Sequence, residues 1–224
     1  MKIGLISYDC KHLKTEQVLQ RILDKGFELK FYLLPFIERK NREILFNHRP
    51  DQNNSILARN LAKSHDIDIK YIQDPRGVGI DNRCDYYLIL GAGLLDVKSI
   101  GLNKIINVHP GIIPISRGLD SFKWSIYNNE PLGVSMHYID DNPDSGELIS
   151  IIKTNVYRSD TLETLARRHY ENEINLLSNF DFYLSNPRFD FVNMEKREAR
   201  MRMPFNIELR MVKKFEEYKN RWAI

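Results

Sequence analysis

Residues 86–90 read Tyr-Tyr-Leu-Ile-Leu, and Gly91-Ala-Gly93 follows at once. Five apolar residues without a polar alternate describe a strand covered on both faces, the habit of parallel sheets. The chain on either side repeats the theme. Upstream, Lys2–Tyr8 (KIGLISY) is a short apolar strand. Thr15–Leu23 places Val18, Leu19, Ile22 and Leu23 on one helical stripe, and Gly26 stops it. Phe27–Leu34 alternates and then runs apolar into Pro35, a second strand. Residues 38–54 are polar and read as an irregular excursion. Ser55–Ser64 is helical, and Ile67–Ile72 alternates as a strand. Downstream, Lys104–Val108 is another buried strand. This order predicts an α/β fold: an open, mostly parallel twisted sheet with helices on both faces.

After residue 110 the pattern changes. Leu119–Asn129 reads as a helix, and Gly133–Ile139 and Glu147–Val156 as strands joined by the turn-rich Asp140–Gly146. Asp160 with Glu163 makes a capping signature for a helix running from Thr161 to about Leu184. Phe205–Trp222 spaces Leu209, Val212, Phe215, Tyr218 and Trp222 three or four apart. That is an amphipathic helix, expected to dock on the body or on a second subunit. The expected division is a domain over residues 1–185 and a C-terminal helical extension over 186–224.

Composition narrows the classes. The 224 residues are 42% hydrophobic and 28% charged, a globular balance and not a disordered one. With 33 basic against 30 acidic residues, a net charge of +3 falls short of a nucleic-acid binder. Cys10 and Cys84 are too few for a disulfide framework or a zinc set, so a reducing cytoplasm is expected. The longest apolar run, Tyr86–Leu95, is too short for a bilayer, and no signal-peptide pattern is present. Gly77-Val-Gly79 and Gly91-Ala-Gly93 both lack the dinucleotide fingerprint and read as turns. His12, His48, His65, His137 and His169 stand at no metal spacing, and His137 reads as packed or facing solvent.

Asn107-Val108-His109-Pro110 closes a buried strand, since Pro110 cannot donate to a ladder. Alternation points residues 107 and 109 to one side, beyond the carboxyl end of a parallel strand, where open α/β sheets bind ligands. Asp144 lies in a loop able to return to the same edge. An amide for a developing oxyanion, an imidazole for the proton and a carboxylate to orient it can together perform acyl transfer. The alternative is a hydrogen-bonded structural pair.

The surrounding residues form an ordered series: Asn107-Val-His109-Pro110-Gly111-Ile-Ile-Pro114, Ser116-Arg117-Gly118, Trp124, Gly133-Val134 and Asp144-Ser-Gly146. The series resembles the folate-dependent formyltransferases, over about residues 86–164 by motif and over the first 85 by layout. The resemblance implies a Rossmann-like formyltransferase fold for residues 1–185, with Asn107, His109 and Asp144 as a catalytic trio. It implies 10-formyltetrahydrofolate as co-substrate, an amine acceptor and no metal. It places the pterin along Leu90, Gly91, Gly93, Leu94 and Leu95 and along Ile139, Asp140 and Asp141, mainly through their main chain.

Two departures bear on the acceptor. Gly111 stands where the family usually has serine after His-Pro. Ser7-Tyr8-Asp9-Cys10-Lys11 lacks the glycine-rich phosphate loop of the glycinamide-ribonucleotide members. Too few residues follow the long helix for the β-rich domain of methionyl-tRNA formyltransferases. A nucleotide-linked amino sugar, destined for a surface polysaccharide, is therefore the expected small-molecule acceptor. Ser7, Tyr8, Lys11 and Arg117 are the candidate contacts, and Arg117 either ties down its loop or reaches the acceptor. No nucleic acid or membrane partner is expected, and a homodimer is open. Formyl transfer to glycinamide ribonucleotide or methionyl-tRNA, formyltetrahydrofolate hydrolysis and a non-catalytic folate-binding role on the same fold are the competing readings.

Overall fold

The computed structural model describes residues 1–38, 42–96, 98, 100–101, 104–140, 142–192 and 194–224. The strands are β1 (Lys2–Tyr8), β2 (Glu28–Leu34), β3 (Asp68–Tyr71), β4 (Tyr86–Ile89), β5 (Ile105–His109), β6 (Gly133–Tyr138) and β7 (Leu148–Lys153). The helices are α1 (Leu13–Ile22), α2 (Ala58–Ser64), α3 (Ser121–Tyr127), α4 (Leu162–Ser178), α5 (Phe180–Ser185) and α6 (Phe205–Trp222). One sheet runs in the order β3-β2-β1-β4-β5-β6-β7. β1 to β5 pair in parallel, and β6 and β7 add antiparallel.

Strand periodicity sorts the core. Ile3 and Leu5 of β1, Phe31 and Leu33 of β2, Leu88 of β4, and Ile106 and Val108 of β5 point to one face. There Val18 and Leu19 of α1, Leu61 of α2, and Tyr170, Ile174 and Leu177 of α4 cover them. Ile6, Tyr32, Tyr87 and Ile105 point to the other face, packed with Ile72, Ile80, Cys84 and Ile100. Asn107 and His109 share the parity of Ile105, so they stand on the face away from α1 and α4. The chain leaves β1 outward to β2 and β3, then returns to β1's other side as β4. The switch point therefore lies between β1 and β4, and ligand crevices open at such points.

Two details differ from the periodicity reading. The long helix divides at Asn179 into α4 and α5. Its N-cap is Thr161, which exchanges hydrogen bonds with Thr164 one residue later than the expected pair. Asp160 is drawn away because its carboxylate takes the Arg168 guanidinium at 2.7 and 2.8 Å. That fork is stronger than a single cap bond.

α6 lies against the body. Met211, Phe215 and Tyr218 are buried with Phe122 and Ile126 of α3, Leu165 of α4, Leu132 and Val156. The Tyr218 hydroxyl donates to the Glu130 carbonyl at 3.0 Å. Removing a well-packed aromatic ring loses transfer energy and leaves a cavity. Phe215→Ala is expected to lower the unfolding free energy by about 3 kcal/mol, and Tyr218→Phe by about 1 kcal/mol for a buried carbonyl left unpaired. Urea unfolding of the two variants measures both.

Candidate active site

β6 pairs with β5 in a register that sets Asn107 opposite His137 and His109 opposite Ser135. With a period of two, all four side chains lie on one face of the sheet. His109 is buried, its Nδ1 3.3 Å from Asp144 Oδ1. On the other side of the ring, Nε2 lies 2.8 Å from the Ser116 carbonyl and 3.1 Å from Ser121 Oγ. A carboxylate and a carbonyl thus stand at opposite nitrogens of the ring and fix its orientation. Gly111 makes room for this ring. A Cβ there would stand 2.6 Å from His109 Nε2 and 2.5 Å from the Ser116 carbonyl. The hydroxyl beside His109 comes instead from Ser121.

Asp144 sits at φ +48° in the β6–β7 loop. The Gly118 amide donates to its Oδ2 at 2.8 Å. Burial acts against its charge, but His109, the hydrogen bond from His109 and the Gly118 amide outweigh burial and hold the carboxyl down to about 2. Arg117 donates from Nε to the Asp144 carbonyl at 2.8 Å and from Nη2 to the Pro143 carbonyl at 2.6 Å. These bonds join the Arg117 loop to the β6–β7 loop.

His137 is the member that strand periodicity left among packed or solvent-facing residues. It is 1% exposed, and its Nε2 lies 3.3 Å from Asn107 Nδ2 and 3.9 Å from Asp144 Oδ1. Burial and the neighbouring His109 push its pKa down to about 4. Its Nδ1 faces the Tyr138 carbonyl at 2.8 Å and carries the proton, so Nε2 accepts from Asn107. That bond fixes which way the Asn107 amide turns. Knowing the antiparallel register would have exposed His137, because Asn-x-His on β5 and Ser-x-His on β6 face each other.

The two segments expected to hold a pterin converge. Ala92, Leu95 and Ile139 are half-buried against the Ile100–Ile105 cluster, Leu90 is buried and Leu94 is exposed. The Ile139 amide donates to the Ile105 carbonyl at 3.0 Å. Gly91 is buried with its amide on the Ile6 carbonyl at 3.2 Å, Gly93 is exposed, and Asp140 accepts Ser145 Oγ at 3.0 Å. The half-buried side chains of Ala92, Leu95 and Ile139 form an apolar wall of the kind that receives a flat heterocycle. Asp141 lies outside the described residues. Among those residues no group of three His, Cys, Asp or Glu could hold a metal ion, and no helix is long and apolar enough to cross a membrane.

The strand-one side is mixed. Ser7 is buried with its Oγ 2.6 Å from Thr15 Oγ1. Tyr8 packs edge-on against Phe36, ring centroids 5.3 Å apart, and Lys11 is exposed. The first amides of α1 are closed by the excursion: Leu13 N donates to the Gln52 carbonyl at 2.9 Å and Lys14 N to Gln52 Oε1 at 3.2 Å. Behind them Glu173, fully buried, takes Lys14 at 2.8 Å and Arg49 at 2.7 Å.

Comparison with known proteins places this architecture. Residues 83–180, which include Asn107, His109 and Asp144, match the family model described as "Formyl transferase". Over 86 residues the chain is 34% identical to a methionyl-tRNA formyltransferase of Methylacidiphilum infernorum, covering 38% of this chain and 26% of that protein. Over 89 residues it is 30% identical to a phosphoribosylglycinamide formyltransferase of Bacillus subtilis, covering 39% and 44%. Over 64 residues it is 36% identical to a GDP-perosamine N-formyltransferase of Brucella melitensis, covering 28% and 25%. The matched segments thus span less than half the length of each of these relatives.

The fold extends further than the sequence match. A 4-N formyltransferase from Francisella tularensis superposes with a TM-score of 0.59 at 18% identity, over 94% of this chain and 86% of that one. A sugar N-formyltransferase from a Shewanella species gives 0.56 at 16%, over 94% and 87%. A phosphoribosylglycinamide formyltransferase from Bacillus halodurans gives 0.57 at 19%, over 80% and 92%.

The buried histidines make a pH prediction. Burial pushes His137 and His169 down to about 4 in the folded chain, below their ordinary 6.5. As pH falls, the unfolded chain takes up these protons first. The unfolding free energy should therefore decline from pH 6.5 toward 4, each histidine adding up to about 1.4 kcal/mol per pH unit. Asp144 and Glu173, both held down to about 2, continue the decline below pH 4.5. Urea titrations across this range check the slope, and replacing His169 with asparagine should make it shallower.

Proposed function

We propose that this protein is an N-formyltransferase that uses 10-formyltetrahydrofolate and acts on the amine of a nucleotide-linked amino sugar. The observation that carries the reading is the approach of His109 to Asp144 at 3.3 Å, with Asn107 oriented beside them by His137. The formyl transferase match over residues 83–180 supports the same chemistry.

Bound 10-formyltetrahydrofolate would supply an electrophilic formyl carbon. The convergent wall of Leu90, Gly91, Gly93, Leu94, Leu95, Ile139 and Asp140 would hold its heterocycle. The Asn107 amide then donates to the formyl oxygen as it gains charge, and His109 joins it when Nε2 exchanges the Ser116 carbonyl for that oxygen. Asp144 keeps His109 oriented through Nδ1, accepts the proton that the attacking amine must lose, directly or through a water, and returns it to N10 of the departing tetrahydrofolate as the N10–formyl bond breaks. His137 is neutral at neutral pH and positions Asn107.

Two observations favour an amino sugar over glycinamide ribonucleotide. A terminal phosphate would need free amides at the α1 N-terminus, and Gln52 already accepts from those of Leu13 and Lys14. The fold match to the sugar N-formyltransferase also covers 94% of this chain, against 80% for the Bacillus halodurans protein. Tyr8 and Lys11, at the open carboxyl end of β1, are the acceptor contacts that this reading retains. Remote binding at such groups supplies specificity, since transfer itself needs only the amine near the trio.

The test incubates the protein with 10-formyltetrahydrofolate and a panel of amines: nucleotide-linked amino sugars, glycinamide ribonucleotide and methionyl-tRNA. Mass spectrometry should find one formyl group gained by an amino sugar. Activity confined to either of the other two amines overturns the acceptor. Asp144→Asn and His109→Ala should each lower turnover by about a hundredfold or more while remaining folded, and near-normal turnover in either removes the trio assignment.

A further inference from the structure

The segment before α6 does more than lead into a packed helix. Arg197 N donates to the Pro114 carbonyl at 3.0 Å, and Arg200 N to the Arg117 carbonyl at 2.9 Å. Leu119 N returns a bond to the Arg200 carbonyl at 2.8 Å. The strap over residues 197–203 thus forms a parallel bridge between Arg200 and Gly118. Gly118 is the residue whose amide holds Asp144 Oδ2. Its φ of +87° and the approach of the strap both demand glycine, since a Cβ would stand 2.2 Å from the Arg200 carbonyl. Arg117 joins the same layers. Its Nη1 donates to the Arg197 carbonyl at 3.2 Å while Nε and Nη2 hold the Asp144 and Pro143 carbonyls.

The strap is fastened at two acids. Glu130, buried beside α3, takes the Arg200 guanidinium in a fork at 3.0 and 3.1 Å and also pairs with Arg197. Asp120, also buried, accepts the Met203 amide at 3.0 Å and Arg42 at 3.0 Å. Neither acid touches the trio. We propose that the 197–203 strap is a positioning element of the active site, with Glu130 as its latch. It sets Asp144 against His109 through the Gly118 amide and the Arg117 guanidinium. The physical reason is leverage. Asp144 sits in a left-handed conformation in a loop of turn residues, and its main-chain anchors come from a loop that is itself tied to the strap.

The charged and titratable groups around Asp144 are His109 on β5, His137 on β6, Asp140 on its own loop, and Arg117 on the loop that the strap covers. None of these is altered by a change at Glu130, so a shift in Asp144 after that change reports position. The experiment labels aspartate carboxyl carbons with 13C and assigns the Asp144 signal by its loss in Asp144→Asn. Glu130→Ala, and the milder Glu130→Gln, should speed hydrogen exchange at the Leu119 and Arg200 amides. Each should also raise the Asp144 titration midpoint by roughly one unit as the Gly118 and His109 contacts loosen, more in the alanine variant.

Turnover, the arm that rests on the proposed formyl transfer, should fall roughly tenfold to a hundredfold with the donor KM unchanged. If Glu130→Ala does not fold, Glu130→Gln and Arg200→Ala are read in the same way. Faster strap exchange with a wild-type Asp144 titration overturns the proposal, and so does an unchanged strap after loss of the Glu130 charge. Titration and exchange need no substrate, so a failed formyl-transfer reading and a failed strap are told apart.

Discussion

The antiparallel pairing of β6 on β5 is the constraint on which the site depends. β5 is the last of five parallel strands, with Asn107 and His109 at its carboxyl end. One reversed strand then lays Ser135 and His137 beside them in strict register. A shift of one residue would turn His137 into the α4-packed face and bring Met136 to the trio. Val134 and Met136 prevent that slip, because both belong to the apolar cluster under α4. Hydrophobic burial on one face therefore fixes the polar constellation on the other.

The histidines illustrate how a buried polar set stays ordered. His169 lies between Thr154 Oγ1 at 2.9 Å and the Pro110 carbonyl at 3.2 Å, directly behind the residue that follows His109. Neutral and hydrogen-bonded at both nitrogens, it braces the strand end without adding charge to it. Phe122 packs between His169 and His48, with centroids 5.4 and 5.7 Å away.

Buried charge elsewhere follows the rule that it must be paired. Lys14 and Arg49 share Glu173, and Lys123 pairs with Glu208 of α6. The first network joins α1, α4 and the excursion around residue 49; the second joins α3 to α6. Removing one partner of such a pair typically costs about 3–5 kcal/mol, whereas replacing the whole pair by apolar residues does not. These networks therefore specify which segments meet more than they add net stability. They also explain why the excursion, polar in sequence, lies against the body with Gln52 on the first amides of α1.

Local sequence was enough for the succession of strands and helices in the first half, for the positions of Asn107 and His109 on one side of a strand end, and for the apolar stripe of α6. Each rests on periodicity, a property of neighbours along the chain. Asp144 could be suggested by its loop, but its distance to His109 depends on Gly118, Arg117 and the strap, segments remote in sequence. His137 could be placed on a strand yet not beside Asn107, because alternation says which residues share a face and not which strand stands opposite. The capture of Asp160 by Arg168, the closure of α1 by Gln52 and the fastening of the strap at Glu130 are likewise invisible to pattern. Each is a choice among competing polar partners, and a buried polar group takes the partner that tertiary packing brings within about 3 Å.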